Sequence, residues 1–379
     1  MKVVKEVVVV KIGGSLLKDA SSYESVANQI KDYFNNNETL VVVSAMSGVT
    51  DAILSSLSRE IKSLEYVESR YTEAASLLGG ESLVKEVQEQ LDNLRRTVMA
   101  FQKTKDKNVF DYALSFGEKI SKRLMMTALE NLELKTANIN STEIIIVSEL
   151  FGSIDYNLTF NRTRDFILKC FNDSRMPIME GFICGDLGGY THTLGRGGSD
   201  YTATIVGTAL DAKTVYLLTD TPGILSINGV FEVKPRVVEF MSFEEAYEAS
   251  LYGVKKLHRK TFEPIIIFHP KTRVLVGMIE NSKTCISWDI PENYVNTIKL
   301  IAYKNQANKH SKVALIGNRA KQLSLLENVT QLLRQLRIQV RELKFSADKP
   351  KLEFTINKDY LKELIYSLHE SFIGGDKTG

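Results

Sequence analysis

The stretch Val7-Val8-Val9-Val10-Lys11-Ile12-Gly13-Gly14-Ser15 limits the fold more than any other segment. A β-branched run with no polar alternation suits a strand buried on both faces. Such strands belong to parallel sheets covered by helices on either side. A glycine pair after the strand allows a sharp turn and a close approach of backbone to a ligand. The pattern predicts an α/β domain whose site gathers at the carboxyl ends of its strands. Lys11 falls at such an end. The segment alone leaves it open as a phosphate-binding cation or a solvated lysine.

Further apolar runs predict strands at residues 40–44, 144–147, 177–183, 215–219 and 274–278, with helical patterns between them. Residues 54–130 read as mainly helical. Val84, Val87, Leu91, Leu94, Val98 and Phe101 recur at spacings of three and four and make one apolar face. The chemical motifs follow strands directly: Gly13 after the first, Ser47 after the second, Asp220 after the one near Val215.

A second glycine turn runs from Thr193 through Gly195, Arg196, Gly197, Gly198, Ser199 and Asp200 to Ala203, and opens a helical segment. Free N–H groups at a helix start, with the positive end of the dipole, suit an anion. Arg196 can grip a carboxylate or phosphate with two parallel hydrogen bonds. No G-x-x-x-x-G-K-[ST] loop occurs, and the H-R-D and D-F-G pair of protein kinases is absent. A net charge of +2 gives no argument for nucleic acid or a membrane surface as partner, and neither is expected. Cys170, Cys184 and Cys285 form no metal-binding spacing and read as free thiols of a reducing compartment. The run Val7–Val10 is too short for a signal core or a membrane span, which makes a cytoplasmic protein the expectation.

Several segments match known motifs in order. Val10–Ser15 resembles V-x-K-F-G-G-T-S, and Val42–Asp51 resembles V-V-S-A-M-x-G-V-T-N. Phe116-Gly117-Glu118 resembles x-G-E. Gly181-Phe182-Ile183 with Thr193–Ala203 resembles G-F-I-G … T-L-G-R-G-G-S-D-x-(S/T)-A. Thr219–Ile224 resembles T-D-V-(D/P)-G-I, and Gly253–His258 resembles G-A-K-V-L-H-P. Over residues 7–260 the chain thus resembles the amino-acid kinase superfamily and, within it, the aspartate kinases.

The resemblance implies an α/β/α sandwich with a mainly parallel sheet and transfer of the ATP γ-phosphoryl group to the β-carboxylate of L-aspartate, with Mg²⁺. It implies catalytic roles for Lys11 and Asp200. It places Ser44, Thr50, Glu118, Arg196 and Ser199 on the amino acid, with Glu118 receiving the α-ammonium. It places Lys11, Gly13, Gly14, Ser15, Gly197, Gly198, Thr219, Asp220, Arg236 and Lys255 on ATP, the glycines as amide donors. No protein residue is assigned as a metal ligand. The family's adenine-framing loop is replaced at Pro222–Arg236, where Asn228-Gly229 reads as a hairpin turn. A silent amino-acid sensor and a kinase for another small acid are the alternatives.

Residues 312–371 predict a β-α-β-β-α order: a strand at 313–316, a helix at 323–336, strands at 338–345 and 352–356, and a helix at 361–372. That is the order of an ACT regulatory module, an α+β unit that follows the kinase domain in this family. Most relatives carry two modules; one complete copy is visible here. The expected division is a catalytic domain at 1–283 and an ACT-like domain at 284–379. The resemblance also implies a homodimer or higher homo-oligomer, with lysine or threonine as effector.

Overall fold

The structure, a computed structural model, describes residues 5–34, 36–58, 62–148, 152–227, 233–280, 283–306 and 309–374. It divides into two compact units, Met1–Asp220 with Ile267–Thr272, and Thr221–Ile266 with Arg273–Gly379. The Asn228-Gly229 turn expected from the sequence lies outside the described residues.

In the first unit, β1 (Val7–Ile12) leads to α1 (Ala20–Phe34) and β2 (Glu38–Val43). Three helices follow: α2 (Val49–Leu57), α3 (Lys62–Thr104) and α4 (Lys107–Glu130). Next come β3 (Thr136–Ile139), α5 (Ser141–Ile144), α6 (Tyr156–Asn172) and β4 (Met176–Glu180). The small hairpin β5 (Ile183–Gly185) and β6 (Thr191–Thr193) leads to α7 (Gly198–Ala209) and β7 (Thr214–Leu218). The strands of the main sheet run in the order β3-β4-β2-β1-β7. Every one of these pairings is parallel, with Lys11 opposite Val42 on one side and Leu217 on the other. The central position of β1 explains its composition. Val9, Val10 and Ile12 are fully buried, and a β-branched run fills a strand covered on both faces.

The helical region is two long helices and a short one. The α3 segment breaks at Gly80, whose φ of 61° and ψ of −154° are not helical. Beyond the break Val87, Leu91, Leu94 and Val98 are buried as their spacing predicts, while Val84 and Phe101 are only half-buried and Leu83 takes the buried place beside them. One expected strand is corrected. Residues 144–147 form no ladder strand. The Asn140 side chain accepts from the Thr142 N–H and starts the short helix α5. Ile146 and Val147 then make only isolated bridges, to Gly185 and Ile154. A short apolar run reports burial but not its backbone state.

In the second unit, β8 (Phe240–Met241) precedes α8 (Phe243–Ser250) and α9 (Arg259–Phe268). The strands β9 (Arg273–Gly277) and β10 (Lys283–Ile286) pair antiparallel, and β10 pairs parallel with β8. After α10 (Glu292–Val295) come β11 (Leu300–Asn305), β12 (His310–Ile316) and α11 (Leu323–Gln335). The chain ends in β13 (Val340–Phe345), β14 (Lys351–Asn357) and α12 (Leu361–His369). The antiparallel sheet has the order β11-β12-β14-β13. The order predicted over 312–371 is present, and β11 adds an edge strand before it. Val313, Leu315, Leu352, Phe354 and Ile356 of the sheet share one core with Leu325, Val329, Leu333, Leu364 and Leu368 of the two helices.

Candidate functional site

Parallel strands bring their following loops to one end, so distant motifs meet there. A cavity of about 640 Å³ lies at that end of the first unit. Lys11, Gly14, Ser15, Ser44, Thr50, Glu118, Arg196, Gly197, Gly198, Ser199 and Asp200 all line it. The first two turns of the sequence, separated by nearly two hundred residues, thus face one space.

The Lys11 ammonium lies 2.6 Å from Asp200 Oδ1, and both side chains keep a minor exposure of 12% and 18%. A lysine on its own would swing; the carboxylate aims it into the cavity. Asp200 itself stands in the first turn of α7, which Gly197 caps with a φ of 73°. That left-handed backbone favours glycine and turns the helix start toward the cavity. At the other turn, a Cβ on Gly13 would meet the Leu218 carbonyl at 2.7 Å, so the close approach of β1 to β7 requires glycine.

The glycine amides differ from expectation. The Gly13 N–H donates to Leu218 O at 3.0 Å, and the Gly198 N–H donates to Gly195 O at 2.9 Å. Those two residues shape the turns through lack of a side chain, with their donors already engaged by protein. The neighbouring Ser15 hydroxyl donates to Asp220 Oδ1 at 2.9 Å, and the Thr219 hydroxyl donates to the same oxygen at 3.0 Å. This joins the turn after β1 to the loop after β7. Arg236 and Lys255 belong to the second unit. There Arg236 lines a cavity of about 550 Å³ with Lys299, Arg319 and Phe372.

Glu118 carries the unusual electrostatics. It is 3% exposed. Its Oε1 accepts from the Ala45 N–H at 3.3 Å, and its Oε2 has no hydrogen-bond partner among the described residues. Burial pushes its carboxyl up to about 8, against the smaller opposing effect of the Ala45 amide, with the nearby Glu180 charge adding to the rise. A buried oxygen without a donor is costly. Such an oxygen can accept from a donor that a ligand supplies. Across the cavity Arg196 is exposed and makes no ion pair among the described residues. A cation and a carboxyl oxygen, both without partners among the described residues, therefore line one space.

Side chains absent from the motif reading hold these groups. The Tyr71 hydroxyl donates to Gly117 O at 2.7 Å and accepts from the Met46 N–H at 3.3 Å, tying α3 to both neighbouring motifs. The Ser121 hydroxyl donates to Ser44 O at 2.7 Å. Glu180 is paired with Lys122 at 2.6 Å and accepts from the Ser141 N–H at 2.9 Å. Tyr71 lies in a long amphipathic helix, where nothing in its spacing separates it from core. Among the described residues no group of three or more His, Cys, Asp and Glu is arranged to hold a metal ion. No helix is long and apolar enough to cross a membrane, again among the described residues.

The family model described as the Amino acid kinase family matches residues 6–275. The chain belongs to that family. Its kinase segment spans the cavity and both glycine turns. The chain is 22% identical over 388 residues to a bifunctional aspartokinase/homoserine dehydrogenase of Buchnera aphidicola, covering 96% of this chain and 46% of that protein. It thus spans under half the length of that relative. It is 22% identical over 462 residues to the chloroplastic aspartokinase 2 of Arabidopsis thaliana, covering 97% and 84%. Among solved structures, E. coli aspartokinase III in complex with aspartate and ADP superposes with a TM-score of 0.82 at 20% identity, covering 96% of this chain and 99% of that one. The aspartate kinase of Clostridium acetobutylicum gives 0.77 at 17% identity, covering 98% and 100%. These likenesses establish a shared fold.

Proposed function

We propose that this family member is an aspartate kinase, which transfers the γ-phosphoryl group of ATP to the β-carboxylate of L-aspartate. One observation carries the reading. The cavity that holds the Lys11–Asp200 pair also presents a buried carboxyl oxygen of Glu118 without a donor and an Arg196 without a carboxylate. An amino dicarboxylic acid supplies both complements, an ammonium and a carboxylate, and leaves its second carboxylate to react. The aspartokinase names of the relatives and the aspartate and ADP of the E. coli structure support the same choice.

The reaction asks little covalent chemistry of the protein. A carboxylate with a pKa of about 4 is already ionised at pH 7 and needs no base. One of its oxygens attacks the γ-phosphorus, the bond to the β–γ bridging oxygen breaks, and ADP leaves with that electron pair. The protein must bring anions together and offset charge on the phosphoryl oxygens. In this reading Lys11, held by Asp200, stabilises that charge, and Arg196 and Glu118 fix the amino acid. Ser44, Thr50 and Ser199 complete its pocket. Ser15, Gly14, Gly197, Thr219 and Asp220 would lie toward the phosphates. Mg²⁺ would supply neutralising charge at the phosphates, and it would ask only one or two carboxylates of the protein. Asp200 and Asp220 fit that modest demand.

The reading extends to a catalytic domain at 1–283, an ACT-like domain at 284–379, a cytoplasmic homodimer or higher homo-oligomer, and control by lysine or threonine. Lysine is bound in one E. coli aspartokinase III structure that this chain resembles. The test is ADP release from Mg²⁺-ATP with and without L-aspartate, beside Lys11→Ala. Aspartate-dependent turnover that the substitution abolishes supports the proposal. Turnover with another acid alone, or binding without turnover, overturns it.

A further inference from the structure

We infer that helix α4 sets the reach of the acidic-substrate pocket, with Asp111 as the positioning residue that holds Arg196 at a fixed distance from Glu118. The inference rests on the aspartate kinase reading. Asp111 and Glu118 are seven residues apart, two turns along one face of α4. Both are buried, at 4% and 3% exposure. Glu118 serves the substrate ammonium directly. Asp111 reaches the opposite wall of the pocket through a hydrogen bond.

That wall is the hairpin β5–β6 and the turn after it. Asp111 Oδ1 accepts from the Thr193 hydroxyl at 2.8 Å. Its Oδ2 lies 3.9 Å from His192 Nδ1. His192 Nε2 in turn sits 2.7 Å from Asp186 Oδ2, and Asp186 Oδ1 accepts from the Tyr190 N–H at 2.9 Å. The imidazole thus lies between two carboxylates, hydrogen-bonded to that of the hairpin turn and 3.9 Å from that of α4. Arg196 comes only three residues beyond Thr193. The intervening backbone is held by Leu194 N–H to Phe182 O at 2.8 Å and by Gly198 N–H to Gly195 O at 2.9 Å. The backbone between the pin at Asp111 and Arg196 is thus held on both sides.

The consequence is a rule of length. Aspartate and glutamate carry the same end groups and differ by one methylene. A pocket that holds the ammonium acceptor and the carboxylate grip at a set separation can tell them apart, and one methylene is commonly worth about 10- to 200-fold. Released from Asp111, the turn would let Arg196 follow either acid.

Wild type, Asp111→Ala, Thr193→Val and Thr193→Ser are compared for turnover of L-aspartate and L-glutamate. Amide hydrogen exchange over residues 183–199 is followed in parallel. Thr193→Val is close to isosteric and guards against a failure of Asp111→Ala to fold. Both should raise KM for aspartate by about 10-fold, narrow the preference over glutamate, and leave KM for ATP within about twofold. Thr193→Ser, which keeps the hydroxyl, should recover the aspartate KM lost in Thr193→Val. Equal rises in both KM values, or an unchanged aspartate preference, overturn the inference. If wild type turns over no aspartate, the functional reading falls and exchange alone decides. Faster exchange in Thr193→Val than in Thr193→Ser supports the pin at Asp111, and equal exchange overturns it.

Discussion

Two buried carboxylates, one in each unit, have opposite surroundings. Glu118 in the first unit keeps one oxygen without a partner, and burial holds its carboxyl up at about 8. Glu353 in the second unit sits in the antiparallel sheet and accepts from Lys312 at 2.9 Å and from the Tyr252 hydroxyl. Lys351 lies at 4.0 Å. There burial also works to raise the pKa, but Tyr252 and the lysines outweigh it and hold the group below the usual carboxylate range. A structural charge is completed by the protein. In the proposed reading the Glu118 carboxyl is left for the ligand to complete. The contrast separates scaffold from site better than exposure does, since both groups are buried.

The largest expected effect lies on the site side. Lys11→Ala removes a preorganised cation and should cost about 3–4 kcal/mol in the barrier, roughly 10²–10³ in kcat. Single-turnover ADP formation checks it. A loss under tenfold would mean that the Lys11–Asp200 pair is scaffold after all.

Next comes Glu118→Gln. It should raise KM for aspartate strongly and also change how stability depends on pH. In the free protein the folded pKa of Glu118 lies above its unfolded value. The unfolded chain therefore ionises first, and stability contributed by the neutral group falls as pH rises from about 4.5 toward about 8. Melting temperatures across that window should decline in wild type and flatten in the variant. Parallel curves would break the contrast with Glu353.

Glu353→Gln tests the other half. It leaves Lys312 without its counter-charge and should cost about 1–3 kcal/mol of stability at pH 7, with KM for aspartate unchanged. Because the folded pKa is depressed, this contribution is present above the usual carboxylate range and is lost as pH falls through the folded value. Urea denaturation at pH 7 and pH 3 reads both. A variant equal to wild type at pH 7 would show that the network is surplus.

The smallest effect is the sharpest. With a pKa of about 8, Glu118 is mostly protonated in the free enzyme at pH 7. An arriving ammonium favours the carboxylate, so binding should release up to one proton. Calorimetry of aspartate binding in two buffers of different ionisation enthalpy measures it. Buffer-independent heats would remove Glu118 from the ammonium.

Much of this was written locally. The β-branched run of β1 could only be a covered strand, because four successive valines suit no half-exposed surface. The glycines at 13 and 197 announced turns, since only glycine tolerates the approach to Leu218 and the φ of 73°. The order of elements over 312–371 followed from apolar period alone. The run at 144–147 misled because burial without alternation does not state a backbone conformation.

What the sequence by itself determined is the set of elements, the covered parallel sheet and the residue types at its strand ends, all of which depend on near neighbours along the chain. What only the tertiary structure decided is which polar groups are completed. The motif around Glu118 implied a substrate contact, but nothing in the sequence said which of Glu118 and Glu180 the protein itself would pair. Packing gave one a lysine and the other an empty place, because hydrogen-bond partners across a fold come from segments whose distance along the chain carries no signal.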